Sequence, residues 1–144
     1  MKRFVERARV QQAPYLLWNA FIDLLAKEDY QNLSPLQRKA HLVFWYDSEV
    51  QNGGHGQYFD NRGVNRLAET IDALTEFGLS CQARLLSAAA TALSQVGRNA
   101  DWAQVLEDSF IDHLDSTFYA CKPTITEALE EHLRKYCAEY VEQT

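Results

Sequence analysis

The chain has 144 residues, of which 47% are apolar and 24% are charged, and it carries a net charge of −6 at pH 7. This length predicts one domain with one buried core, and these proportions are typical of globular rather than disordered or fibrous proteins. The longest apolar runs, such as residues 42–46, are too short to cross a bilayer, and the first residues lack the apolar segment of a signal peptide. We therefore expect no contact with a membrane.

The three cysteines, Cys81, Cys121 and Cys137, form no C-x-x-C pair. An odd number without metal-ligand spacing favours free thiols in a reducing cytoplasm over a disulfide framework or a zinc site. Cys81 lies on an apolar stripe, which indicates a buried structural thiol rather than a nucleophile. The sequence thus predicts a cytoplasmic protein with free thiols.

Helical periodicity begins near residue 15. Residues 15–25 are apolar on nearly all sides, which predicts a first helix that lies centrally in the core. The segment S-P-L-Q at 34–37 forms a capping box that opens a second helix. We expect this helix to end at Gly53 and Gly54, because glycine can adopt the left-handed turn that closes a helix.

The rest of the chain continues the helical pattern. A third helix follows the glycines and stops at Gly78, and a fourth is capped by Ser80. A fifth begins at Asp101 and continues, straight or kinked, through residues 102–119. Residues 124–127 form a second capping box, which opens the last helix.

No alternating strand pattern of useful length interrupts these helices. Residues 1–144 are therefore predicted as one compact all-α domain of about six or seven helices, with a glycine-rich corner after the second main helix. Residues 1–12 are the candidate for a flexible basic segment, because residues 1–10 carry four basic residues against one acidic residue.

The segment EVQNGGHGQYFDNRG, residues 49–63, contains four of the six glycines. It lacks the lysine of a Walker loop, and Phe59 replaces the third glycine of a dinucleotide fingerprint. The four histidines of the chain are scattered without the spacing of metal ligands. We therefore expect no catalytic residues, no cofactor and no metal.

A structural corner explains the segment best. Gly53 or Gly54 would hold a positive φ, and Tyr58 and Phe59 would turn into the core. The polar side chains expected to satisfy the backbone groups of the corner are Glu49, Gln57 and Asn61. The competing hypothesis is a small enzyme or small-molecule binding protein that uses the side chains of Glu49, His55, Gln57 and Tyr58.

The same segment resembles the signature E-V-x-N-G-G-x-x-Q-[FY]-F-x-N of a bacterial family of uncharacterised all-helical domains, typified by a DNA-mimic protein. The matching residues are Glu49, Val50, Asn52, Gly53, Gly54, Gln57, Tyr58, Phe59 and Asn61. Segments 68–79 and 114–120 also look like family elements, so the resemblance covers about residues 36–120. It implies an all-helical fold and a protein that occupies the DNA-binding face of a transcription factor.

Acidic residues concentrate near the C-terminal end of the chain. They are Asp101, Glu107, Asp108, Asp112, Asp115, Glu127, Glu130 and Glu131. Asp108, Asp112 and Asp115 fall at i, i+4 and i+7 on one helical face, and the last helix would extend the row if it packs alongside. Such a face repels nucleic acid and favours a basic protein partner.

The sequence therefore predicts a non-enzymatic interaction protein, either a DNA mimic that regulates a DNA-binding protein or an immunity or antitoxin-like protein. We expect no direct binding of nucleic acid. Monomer and homodimer both remain open.

Overall fold

The computed structural model describes residues 1–95 and 109–144, and this part of the chain contains seven α-helices and one two-stranded sheet. The helices are α1 (Arg7–Gln12), α2 (Tyr15–Lys27), α3 (Pro35–Arg62), α4 (Leu67–Glu76), α5 (Ser80–Gln95), α6 (Ser109–Phe118) and α7 (Ile125–Tyr140). The strands are β1 (Arg3–Val5) and β2 (Val141–Gln143), and a 3-10 turn spans Tyr30–Asn32. The predicted single all-α domain is confirmed.

Helix α3 is the element around which the others pack. It contacts α2, α4, α6 and α7. Its fully buried side chains Ala40, Val43 and Tyr46 recur at three-residue spacing, which keeps one stripe of the helix inside the core. Because α3 is the longest helix and touches four others, its direction decides where the remaining helices lie.

Helix α2 lies centrally, as predicted. It packs against α3, α7 and both strands. Phe21, Leu24 and Leu25 are fully buried, whereas Tyr15 in the first turn is exposed. The apolar character of this helix on nearly all sides therefore corresponds to burial in its C-terminal half.

The two ends of the chain meet in a parallel pair of strands, in which Arg3 is opposite Val141 and Val5 is opposite Gln143. Arg3 also donates to Asp23 and to Glu28, each at 2.7 Å. The prediction of a flexible basic segment at residues 1–12 is wrong, since these residues form β1 and α1. Strands of three residues are too short to produce a recognisable alternation, so their pairing was not visible in the sequence.

The local helix signals are largely confirmed. Both predicted capping boxes form, one between Ser34 and Gln37 and one between Thr124 and Glu127. Gly78 has a positive φ of 75° after α4, as a helix stop requires. Ser80 is the first residue of α5 rather than its cap. The predicted start of the fifth helix at Asp101 lies outside the described residues.

The cysteines differ from the prediction. Cys81 at the start of α5 forms a disulfide with Cys121, which follows α6, and their Cα atoms are 5.7 Å apart. Cys137 is a free, half-buried thiol. The expectation of three free thiols, including a buried structural thiol at Cys81, is therefore wrong. The pair is separated by 40 residues, so no short spacing announces it.

This disulfide should contribute strongly to stability, because it closes a long loop in the unfolded chain. We expect the double substitution Cys81→Ser and Cys121→Ser to lower the free energy of unfolding by about 4 kcal/mol, measured by urea denaturation without reductant. Cys137→Ser is the control and should cost much less. Equal stability of the double variant and the unmodified protein would show that the disulfide does not form in solution.

Candidate functional site

The glycine-rich corner is a kink within α3. Gly53 (φ −158°, ψ 18°) and Gly54 (φ 77°, ψ −175°) leave the helical region, and the helix resumes at His55 and ends at Arg62. The predicted positive φ is confirmed at Gly54. The predicted end of the helix is wrong in one respect, because the chain turns and becomes helical again at once, without a loop.

The aromatic residues after the kink enter the core, as predicted. Tyr58 is 4% exposed and Phe59 is 6% exposed. The ring of Tyr58 packs edge-on against Tyr46, with centroids 5.4 Å apart. The kink therefore returns the second half of α3 to the core that the first half already lines.

A carboxylate from α6 closes the kink. One oxygen of Asp115 accepts hydrogen bonds from the backbone N–H of His55 at 2.8 Å and from its Nδ1 at 2.7 Å. The first N–H groups of a helix lack partners within it, so Asp115 acts as a cap supplied by a different helix. A Cβ atom at Gly54 would meet this carboxylate. Gly54 is therefore required both for its φ and for the space that Asp115 occupies.

The other ring nitrogen of His55 extends this contact into the core. Nε2 accepts from the hydroxyl of Tyr46 at 2.7 Å, and the ring is fully buried. Burial lowers the pKa of His55 despite the neighbouring Asp115 carboxylate, so the ring is neutral at pH 7. Burial also raises the pKa of Tyr46 well above its ordinary value. The enclosed Tyr46–His55–Asp115 chain holds α3 and α6 in a fixed relation.

A second cluster surrounds Glu49 on the other side of the kink. One oxygen of its carboxylate accepts hydrogen bonds from the side-chain amides of Gln57 at 2.9 Å and Asn61 at 2.8 Å. The other oxygen lies 3.5 Å from Nε of Arg62. Burial alone would raise the pKa of Glu49, but the hydrogen bonds from Gln57 and Asn61 and the charge of Arg62 lower it below its usual value. The expectation that these residues serve backbone groups is wrong, because they solvate a buried carboxylate instead.

Asn52 completes this cluster by donating to the side-chain oxygen of Gln57 at 3.1 Å. The residues of the competing ligand-site hypothesis are thus divided. Glu49 and Gln57 bond to each other, while His55 bonds to Asp115 and Tyr46. Tyr58 lines a separate cleft. The four proposed side chains do not converge.

The predicted acidic face is also divided. Asp101, Glu107 and Asp108 lie outside the described residues. Asp112 is exposed on α6, whereas Asp115 points at the corner and caps His55. The expectation that Asp115 stands in a row of free carboxylates is wrong, because the helix restart after Gly54 uses it as an acceptor.

The last helix does not extend a row along α6. Helix α6 packs against α3 and α5, while α7 packs against α2 and α3. Three carboxylates of α7 instead surround a cleft of about 670 Å³ together with a carboxylate at the end of α4. This acidic cleft is bounded by Glu76, Glu127, Glu130 and Glu131, and its lining includes the rings of Phe77, His132 and Tyr136.

The carboxylates of the acidic cleft differ in their partners. Glu76 pairs with Lys39 at 2.8 Å, and Glu131 pairs with Arg134 at 2.8 Å. Glu127 accepts at the cap of α7. Glu130 is exposed and has no hydrogen-bond or ion-pair partner among the described residues. One carboxylate is therefore unpaired, and two others belong to exposed ion pairs.

His132 contributes no charge to the cleft. Its ring stacks on Phe77 with centroids 4.6 Å apart, and its Nε2 forms a hydrogen bond with the hydroxyl of Tyr140 at 2.6 Å. Burial, with the charge of Lys135, lowers the pKa of His132 to about 4. The ring is thus a neutral aromatic surface at pH 7.

Two features of these sites were not found from the sequence. The capping role of Asp115 was missed, although segment 114–120 was recognised as part of the resemblance. A carboxylate sixty residues from the N–H group that donates to it leaves no local pattern. The aromatic lining of the acidic cleft was missed because Phe77, His132 and Tyr136 come from two helices, and only the position of His132 on the buried stripe of α7 signalled an inward ring.

The sequence matches the model of one known protein family. Residues 31–140 match the model of the DMP19-like protein family. The chain belongs to the DMP19-like protein family. The match to the DMP19-like model includes the whole kink and all helices from α3 to α7, and it extends beyond the range 36–120 that the resemblance indicated. Searches of curated proteins and of solved structures gave no significant match.

Two further properties follow from the described parts of this DMP19-like chain. Within residues 1–95 and 109–144, no group of three or more His, Cys, Asp or Glu side chains has the arrangement to hold a metal ion. No helix in the same ranges combines the length and the apolar character needed to cross a bilayer.

The role of Gly54 can be tested against Gly78, which has nearly the same φ of 75° but open space at the Cβ position. We expect Gly78→Ala to lower the free energy of unfolding by about 1 kcal/mol, because only backbone strain is added. Gly54→Ala should cost about 3 kcal/mol, since the ψ of −175° at Gly54 belongs to a region that only glycine adopts readily and the added Cβ also displaces the Asp115 cap. Equal costs in urea denaturation would show that the cap contributes little.

The buried histidines predict how stability depends on pH. Burial lowers the pKa of His41, His55 and His132 in the folded protein, so the unfolded chain binds more protons below about pH 6.5. The free energy of unfolding should therefore keep its full value above this pH and decrease as the pH falls towards 4. His132 alone should account for a loss of about 2 kcal/mol between pH 7.5 and 5.

Urea denaturation at both pH values measures this loss. His132→Gln should flatten the dependence on pH, while His113→Gln, which changes an exposed ring on α6, should leave it unchanged. A stability that does not change between the two pH values would contradict the burial of neutral rings.

Proposed function

We propose that this protein is a non-catalytic binding protein whose acidic cleft engages a basic protein partner. The observation that carries the proposal is the arrangement of four carboxylates around a cleft with aromatic walls. Carboxylates attract arginine and lysine, and aromatic faces bind the flat guanidinium group or the ammonium group of these residues. A net charge of −6 adds long-range attraction for a basic surface.

The cationic residues that also line the cleft are compatible with this role. They are Lys39, Arg134 and Lys135. Lys135 lies over the ring of Tyr136, with its Nζ 5.1 Å from the ring centroid. Lys39 and Arg134 form exposed ion pairs with Glu76 and Glu131. Such pairs contribute only about 0–1 kcal/mol, so cations of a partner can replace them at little cost. Glu130 offers a carboxylate without a competing partner among the described residues.

The neutral state of His132 favours the same partner. A protonated ring on the wall of the cleft would repel an arginine or lysine side chain. Because the pKa of His132 is lowered to about 4 by burial and by Lys135, this repulsion is absent at pH 7. Phe77 and His132 then present a stacked pair of rings beside the carboxylates.

A DNA-binding protein is the partner class that we propose first. The resemblance to a family typified by a DNA mimic supports it, and a row of carboxylates on α7 would imitate phosphates of a DNA strand. An immunity or antitoxin-like protein would use the same cleft against a basic toxin. Competition by duplex DNA for the partner distinguishes the two, because only a DNA-binding partner is displaced.

The proposal predicts the effect of neutralising α7. We expect the triple variant Glu127→Gln, Glu130→Gln and Glu131→Gln to weaken binding of the basic partner by at least about tenfold and to reduce its dependence on salt. Glutamine keeps the capping box of α7, so folding is preserved. Binding is measured after pull-down from the native cell extract, by titration between about 50 and about 200 mM NaCl.

A matched control removes the same amount of charge elsewhere. Glu6→Gln, Asp60→Asn and Glu142→Gln change three exposed carboxylates outside the acidic cleft. This variant should retain the partner. If both triple variants bind alike, binding depends on net charge alone or on another surface, and the assignment of the acidic cleft is wrong.

A further inference from the structure

A second cleft, of about 240 Å³, lies where the two halves of α3, the turn at Tyr30–Asn32 and the start of α4 meet. We call it the arginine cleft, and its lining includes Tyr30, Trp45, Arg62 and Arg66. It shares no lining residue with the acidic cleft. Among the described residues that line it, two are cationic and none is acidic, although the whole chain carries a net charge of −6.

Both guanidinium groups are held against aromatic rings. The guanidinium carbon of Arg62 lies 3.9 Å from the ring centroid of Trp45, and that of Arg66 lies 3.5 Å from the ring centroid of Tyr30. Stacking restrains the guanidinium plane but leaves the N–H groups at its edge able to donate. Two such groups on one cleft provide restrained donors for the oxygens of an anion.

The acidic partners of these arginines leave much of this donor capacity unused. Nε of Arg62 is 3.5 Å from Glu49, and Nη1 of Arg66 is 3.5 Å from Glu69. Both contacts are long for charge-assisted hydrogen bonds, which are usually about 2.7–2.9 Å. Neither guanidinium donates to any other acceptor among the described residues.

The aromatic wall of the cleft is itself fixed. Nε1 of Trp45 donates to the carbonyl oxygen of Leu25 at 3.2 Å, and Nδ1 of His41 donates to the same oxygen at 3.0 Å. Burial first, and then the charges of Arg62 and Arg66, lower the pKa of His41. Both arginine charges therefore act on the interior of the cleft, beside a neutral ring.

We propose that the arginine cleft binds a small oxyanion-bearing metabolite, with Arg62 and Arg66 holding its phosphate or carboxylate group. Arginine suits both groups because its paired N–H donors match two oxygens of one anion. The volume of about 240 Å³ lies below the roughly 300 Å³ at which sites for drug-sized ligands begin, so the ligand is small. This site is independent of the acidic cleft and of the proposed protein partner.

The test is an NMR titration of the full chain with inorganic phosphate and, separately, with benzoate, each compared with sodium chloride at equal ionic strength. We expect saturable shifts of the side-chain Nε–H signals of Arg62 and Arg66 and of the indole N–H signal of Trp45. Tighter binding of phosphate would identify a phosphoryl ligand, and tighter binding of benzoate a carboxylate ligand. Shifts no larger than those in sodium chloride would overturn the proposal.

Variants locate the site. Arg66→Gln should weaken binding about tenfold, the loss expected for one charge-assisted contact. Arg84→Gln removes an exposed cation on α5 and should bind like the unmodified protein. Arg62→Lys keeps the charge beside Glu49 but loses the planar stack, so it should also bind more weakly. Unchanged binding by Arg66→Gln and Arg62→Lys, with both folded by thermal melting, would contradict the site.

Discussion

The contact on which the rest of this structure depends is the one between Asp115 and the helix restart at His55. Gly53 and Gly54 leave the helical conformation so that α3 can turn within two residues, and this leaves the N–H of His55 without a helical acceptor. Asp115 supplies that acceptor from α6. The hydroxyl of Tyr46 binds the other side of the His55 side chain, at Nε2 of the ring. One carboxylate thereby fixes the angle between the halves of α3 and the position of α6.

The angle at this kink also determines where the arginine cleft lies. The second half of α3 carries Tyr58 into the core and places Arg62 beside Trp45 from the first half. A straight helix would separate these two residues by more than four turns, because each residue advances the axis by about 1.5 Å. The glycines are thus a structural corner, as the sequence predicted, and this corner brings the lining of the arginine cleft together.

The parts of the fold that were predictable depend on contacts between near neighbours. The capping boxes at Ser34 and Thr124 need only residues three positions apart, and the positive φ of Gly54 follows from the absence of a side chain. The disulfide of Cys81 and the cap from Asp115 join residues distant in sequence, so no local pattern signals them. The pairing of β1 with β2 is more distant still. The same limit applies to both clefts, whose walls come from separate elements.

Helix α4 carries the two clefts at its two ends, with Arg66 at its N-cap and Glu76 as its last residue. This polarity is opposite to the one that a helix dipole favours, since negative charge is stabilised at the N-terminal end and positive charge at the C-terminal end. Each unfavourable placement costs about 0.3–1 kcal/mol, and Glu69 in the first turn offsets part of it at Arg66. Charges placed against the dipole accord with binding roles better than with stability.

The parallel pairing of β1 and β2 has a mechanical consequence. Residues that precede β1 and residues that follow β2 leave the two-stranded sheet at opposite ends, because Arg3 is aligned with Val141 and Val5 with Gln143. A pulling force applied through these flanking residues would load the hydrogen bonds between the strands in shear, so that they resist together instead of opening one at a time. The small sheet would then carry the applied force, and the helices would experience less tension along the chain.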